Sequence, residues 1–218
     1  MSSWFSLTTF LLIASFSCVA QVQVSEEPMH HNVFENAWVR ILDVHIAPGD
    51  TSLIHKHSTP SVFLVLSKTK TGSQVITEPH DIDLHDGNIW FEGFYDQPRI
   101  HRVWNSDTSD FHVIDMELVN KTPKPIGQPL NIKSFSLLFD EKAVRGYRFT
   151  LPAHATLQLP KRKAPMLVIG LTDTKGNVVA NQKTFSKKGD FIFLEPGTSA
   201  HFVNSGKAMQ SFAVFELK

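Results

Sequence analysis

The chain has 218 residues, 42% of them hydrophobic and 19% charged, enough to bury a core without covalent staples. Its 21 Lys plus Arg balance 21 Asp plus Glu, so it lacks the basic surplus that nucleic-acid phosphates select. Its one cysteine, Cys18, excludes an internal disulfide.

Residues 1–20, MSSWFSLTTFLLIASFSCVA, carry no charged side chain, and an apolar run from Trp4 to Phe16 leads into small residues. This is the pattern of a secretory signal cleaved after Ala20, and the run is too short for a membrane span. The expected location is secreted or periplasmic. A lipid anchor at Cys18 is the weaker alternative, because Ser15 and Phe16 fit poorly before a lipidated cysteine. Removing the leader would remove Cys18, and with it any thiolate ligand or cysteine nucleophile.

Beyond the leader, His30 and His31 fall where an exposed, flexible start is expected. Short apolar or alternating runs follow: VRILDVHI, SVFLVL, NIWF and HVIDMEL, then MLVIGL, DFIFL and SFAVFEL. Gly, Pro, Asn and Ser clusters separate them, and TEPHDIDLHDGN reads as a turn-like stretch holding His80 and His85. Such runs predict an all-β fold of sandwich or barrel type. The runs also repeat. VFENAWVRI from Val33 parallels LFDEKAVRG from Leu138, DGNIWFEG from Asp86 parallels KGDFIFLEPG from Lys188, and HRVWN from His101 parallels HFVN from His201. Two copies of one module are expected, at 29–120 and 132–218, joined by a proline-rich linker at 121–131.

The first copy carries Gly49, five residues, then His55-Lys56-His57, and later Gly87, His101 and Asn105; the second carries Gly189, Pro196, Gly197, His201 and Asn204. This resembles the two motifs of the cupin superfamily and implies two tandem cupin-type β-barrels (jelly rolls). The glutamate of the family's first motif would fall at Ser61 or Val62 and is absent. The second copy has Leu159 and Lys161 where the first has His55 and His57, and His201 alone remains. The resemblance thus implies a metal site of His55, His57 and His101 in the first copy and none in the second.

The chemistry is consistent with that. Residues two apart on a strand share a face, so His55 and His57 would enter the barrel together, with Lys56 outside. Three imidazoles suit Fe or Zn, with Ni, Cu and Mn as further choices, better than Mg or Ca. Without the glutamate, the ion would be more electrophilic and would favour a small anionic, chelating organic substrate. The resemblance implies dioxygenase-type chemistry first. The alternatives are a metal-dependent isomerase or lyase, or a non-catalytic module binding a small molecule or carbohydrate. Glu92 is a candidate substitute ligand or general base, Tyr95 and Trp104 are candidate pocket walls, and His112 is a candidate inward-facing donor. Asn105 and Asn204 read as backbone-bonding residues. The expected partners are a small molecule and, at most, a second copy in a homodimer.

Overall fold

The computed structural model describes residues 21–75 and 78–218. The leader and its Cys18 lie outside the described residues. The described residues of the first half form ten strands: β1 (Val22–Gln23), β2 (His30–Glu35), β3 (Val39–Ile46), β4 (His55–His57), β5 (Ser61–Val65), β6 (Thr69–Val75), β7 (Glu78–Leu84), β8 (Ile89–Glu92), β9 (Arg99–Asn105) and β10 (Phe111–Leu118). The second half forms nine: β11 (Phe135–Asp140), β12 (Val144–Leu151), β13 (Thr156–Leu159), β14 (Met166–Gly170), β15 (Val178–Ala180), β16 (Lys183–Phe185), β17 (Phe191–Leu194), β18 (Ala200–Asn204) and β19 (Gln210–Leu217). No helix among the described residues is long and apolar enough to cross a membrane.

The fold is all-β, with four sheets among the described residues. The first half pairs as β1-β4-β9-β6-β7 and β2-β3-β10-β5-β8, the second as β13-β18-β15-β16 and β11-β12-β19-β14-β17. Apart from β1, which lies parallel beside β4, the strand orders of the two halves coincide. Each half is a jelly roll of two facing sheets.

Why the apolar runs are so continuous follows from where they sit. Val39 and Ile41 of β3, Val62 and Leu64 of β5 and Met116 of β10 pack against Val144, Leu167, Ile169 and Phe215 of the second half. The intervening Leu42, Val44, Val65 and Val113 fill the interior of the first barrel. These strands are buried on both faces, so strict alternation is lost. Each such side chain contributes about 1.5–3 kcal/mol by leaving water.

The Val-Arg pairs common to both copies have a shared use. Arg40 donates to Glu117 at 2.8 Å, and Arg145 donates to Glu216 at 3.2 Å, each across the strand pair β3–β10 or β12–β19.

Two expectations fail. The stretch read as turn-like contains β7, paired along β6 from Thr69↔Leu84 to Val75↔Glu78. It is an edge strand, where Asp81 and Asp83 face outward while Ile82 and Leu84 reach the barrel cavity; its acids mimic a loop. His85 is exposed, as expected. His30 is buried, at 8% exposure, because Glu27 holds its ring; only His31 is exposed.

Candidate metal centre

Strands β4 and β9 pair antiparallel with His55 opposite His101. The period of two puts His57 on the same inward face as His55, and Lys56 between them is directed elsewhere. The ring centroids of His55, His57 and His101 lie 4.6–5.0 Å apart. One nitrogen of each lies within 4.8 Å of the others. They line a cavity of about 330 Å³ in the first barrel, whose other walls include Phe63, Trp90 and Val103.

His55 and His101 each have a hydrogen-bond partner on the other nitrogen, and His57 has a carboxylate beside it. Nδ1 of His55 donates to the Leu53 carbonyl at 2.9 Å. A carbonyl can only accept, so the proton sits on Nδ1 and Nε2 carries a lone pair. That Nε2 is buried and has no partner among the described residues. Nδ1 of His57 lies 3.4 Å from Asp115, and Nδ1 of His101 meets the Ser73 hydroxyl at 3.0 Å. The remaining nitrogens, Nε2 of His57 and His101, stand 3.0 Å apart. Two lone pairs at that distance repel unless a proton or a cation lies between them. Ser73 can donate or accept, so it tolerates either His101 tautomer.

Burial is the main cause that lowers His55 to about 4, with His30 and His57 as the next contributors. Burial also lowers His101, to about 2, aided by His55, His57 and Arg99. Both rings are therefore neutral near pH 7, the form that ligates metals. An ion at about 2.1 Å from each nitrogen would separate two ligands at right angles by about 3.0 Å, which the His57–His101 spacing matches. The orphaned Nε2 of His55 and the 3.0 Å pair are what a bound cation would satisfy. The donor set fits the group.

Four neighbours escaped the sequence reading. Asp115 is 1% exposed, and both its oxygens lack hydrogen-bond partners among the described residues. Its signal was present: in FHVIDMEL, alternation puts Phe111, Val113 and Asp115 on one face, so an acid enters the barrel. Ser73 lies in the polar run TKTGSQV, which reads as loop. Glu27 accepts from His30 at 2.6 Å, from Met29 N at 2.7 Å and from Leu53 N at 3.0 Å. Burial alone would raise its carboxyl, but these bonds and the His30 ring hold it below the usual range. His30 in turn stands edge-on to His55 at 4.8 Å. His30 thus forms part of the cavity wall, with Glu27 behind it.

The other sequence candidates lie elsewhere. Glu92 accepts from Trp90 Nε1 at 3.0 Å and from Arg99 at 2.7 Å, and it does not line the triad's cavity. Tyr95 is 50% exposed, beneath Lys142. Trp104 packs over Gly72, where a Cβ would overlap the indole. His112 points away from the barrel interior and bonds Asp43 at 2.7 Å; its strand-mates Ile114 and Met116 face the seam between the halves. Asn105 and Asn204 peg loops by bonding the carbonyls of Ile46 and Leu151. Phe94, at φ 47°, stacks on His57 at 5.5 Å.

In the second half, Leu159 pairs with Ala200 as His55 pairs with His101. Ala200 therefore occupies the third position. His201 is one residue out of step, so it is exposed rather than inward. Leu159 and Ala200 join Phe149, Phe185, Phe202 and Phe212 in an apolar core.

No protein-family model and no curated protein sequence matches the chain. Solved structures do. AerE from Microcystis aeruginosa aligns over 88% of this chain and 98% of its own, with TM-score 0.55 and 10% identity. A salicylate 1,2-dioxygenase from Pseudaminobacter salicylatoxidans aligns over 85% and 72%, with TM-score 0.57 and 11% identity. A cupin 2 conserved barrel domain protein from Leptotrichia buccalis aligns over 85% and 86%, with TM-score 0.51 and 12% identity. At these identities the likeness is one of fold, and the fold is that of the cupin-type jelly rolls.

Proposed function

We propose that the chain is an exported two-module cupin, cleaved after Ala20, whose first module (29–120) is a metal-dependent enzyme acting on a small organic molecule. In this reading His55, His57 and His101 hold a divalent transition metal, iron first, and the second module (132–218) is a support without a site. The observation that carries the reading is the inward convergence of three imidazoles, one of them with a buried Nε2 that has no partner among the described residues. When bound, the metal would supply a Lewis acid and, if redox-active, a means of activating O₂.

The chain's own residues divide the remaining work. Leu53 O fixes the His55 ring and its tautomer, Ser73 holds the His101 ring, and Asp115 stands beside His57 Nδ1. Phe63, Trp90, Val103 and Phe111 make a dry wall that strengthens electrostatic contacts with the substrate. Arg99 lines both this cavity and the outer recess formed by residues 92–100, and Glu92 restrains it; its guanidinium is suited to a carboxylate. Probes should be small carboxylates bearing an adjacent hydroxyl or keto oxygen. A dioxygenase shares the fold, which makes oxygenation the first activity to assay.

The test is metal analysis of the purified protein together with O₂ uptake on such probes. The expected result is one interior transition-metal ion, lost in His57→Ala, with turnover that requires oxygen. Anaerobic turnover would favour the isomerase or lyase. Metal-free protein from metal-replete culture that still binds ligand would overturn the enzyme reading.

A further inference from the structure

A second constellation lies on the outer face of the first barrel's other sheet, the one that holds β3 and β10. His45 of β3 and His112 of β10 are cross-strand partners, and their rings stack at 4.1 Å with 18° between planes. Both direct Nε2 at one oxygen, Asp43 Oδ1, from 2.7 Å (His112) and 3.5 Å (His45). The other nitrogen of His45 is held by Asp110 at 2.6 Å. Asp43 and His112 are half-buried, and His45 is exposed. In β3, Leu42 and Val44 face the barrel interior, so Asp43 and His45 face away from the cavity and its triad.

We propose that Asp43, His45 and His112 form a separate, solvent-accessible site for a borderline divalent cation such as zinc, nickel or copper. The geometry has three parts. The three donor atoms lie within 4.8 Å of one another, and the two measured spacings bracket the roughly 3 Å edge expected of ligands about 2.1 Å from one ion. The donors, two imidazoles and one carboxylate, are the mixture such cations take in preference to calcium or magnesium. The Asp110–His45 bond supplies the outer carboxylate that orients a ligating imidazole and makes it more basic. Asp43 and Asp110 together carry two negative charges that a dication would offset. Lys187 lies near enough to favour the charged form of Asp43; its exposed side chain is free to move aside. Solvent would complete the coordination, and the site would clamp β3 to β10 near the loop that joins β9 to β10.

Zinc titration into the full, chelator-stripped protein, followed by calorimetry and by competition with a chromophoric chelator, tests this separately from the interior centre. Wild type should take up two equivalents. His45→Ala, whose side chain is exposed, and Asp43→Asn, which preserves shape, should each remove one equivalent while leaving the one abolished by His57→Ala. Asp110→Asn should weaken the surface site about 10–100-fold. If both surface variants fold, judged by circular dichroism, and zinc uptake is unchanged, the site does not exist and the interior centre is untouched. If uptake is lost in the surface variants but not in His57→Ala, the surface site stands and the interior reading falls.

Discussion

Acidifying the metal-stripped protein should expose the energetic cost of keeping the triad neutral. His55 is wholly buried and ordinarily titrates at 6.5; inside the barrel it is lowered to about 4. In the unfolded chain it takes up a proton below 6.5, while in the folded chain it stays neutral until about 4. Between those values the unfolded state binds more protons, so stability falls as pH falls. At about 1.4 kcal/mol per pH unit, the interval amounts to roughly 3 kcal/mol from this ring alone. His101, lowered further, adds a parallel loss over the same window. Urea unfolding in EDTA at several pH values between about 7.5 and 4.5 measures the slope. The comparison is His55→Leu, which copies Leu159 of the second half. The variant should lose about 1.4 kcal/mol less per unit of acidification below about pH 6.5, and adding His101→Ala should flatten the curve again. Carboxylates elsewhere affect both proteins alike and cancel in the difference. Parallel curves for wild type and His55→Leu would refute the argument that this imidazole is buried and neutral.

Asp115→Asn removes the carboxylate beside His57 Nδ1 and should weaken interior zinc or iron binding about 10–100-fold, read by chelator competition. Gly72→Ala forces a methyl into the Trp104 indole and should cost about 1–3 kcal/mol of stability, read as a lowered urea midpoint. Glu216 is fully buried and accepts from Tyr147 at 2.7 Å and from Arg145 at 3.2 Å, with Arg162 on its other oxygen. Glu216→Ala strands those cations and should cost about 3–5 kcal/mol, seen in thermal and urea unfolding without loss of interior metal.

The strand content was readable from local pattern. VRILDVHI and SFAVFEL announce strands because Val, Ile and Phe suit a pleated surface, and β3 and β19 form over them. The polar TKTGSQV and the acidic DIDL of β6 and β7 were not readable. They pair at a sheet margin, where one face meets water and hydrophobicity is no guide. His55 and His57 stood out because a period of two places them together whatever the rest of the chain does. Glu92 could not be judged from its neighbours in sequence, since its fate depends on Arg99 arriving from another strand.

What the sequence determined by itself was the β class and the shared face of His55 and His57, because side-chain alternation along a strand is set by backbone geometry within a few residues. Only the tertiary structure decided the rest: that His101 meets them while His201 turns outward, that Asp115 stands behind His57, and that Glu27 draws His30 inside. Those outcomes depend on cross-strand register, where a shift of one residue exchanges inside for outside. Register is set by pairings between segments dozens of residues apart.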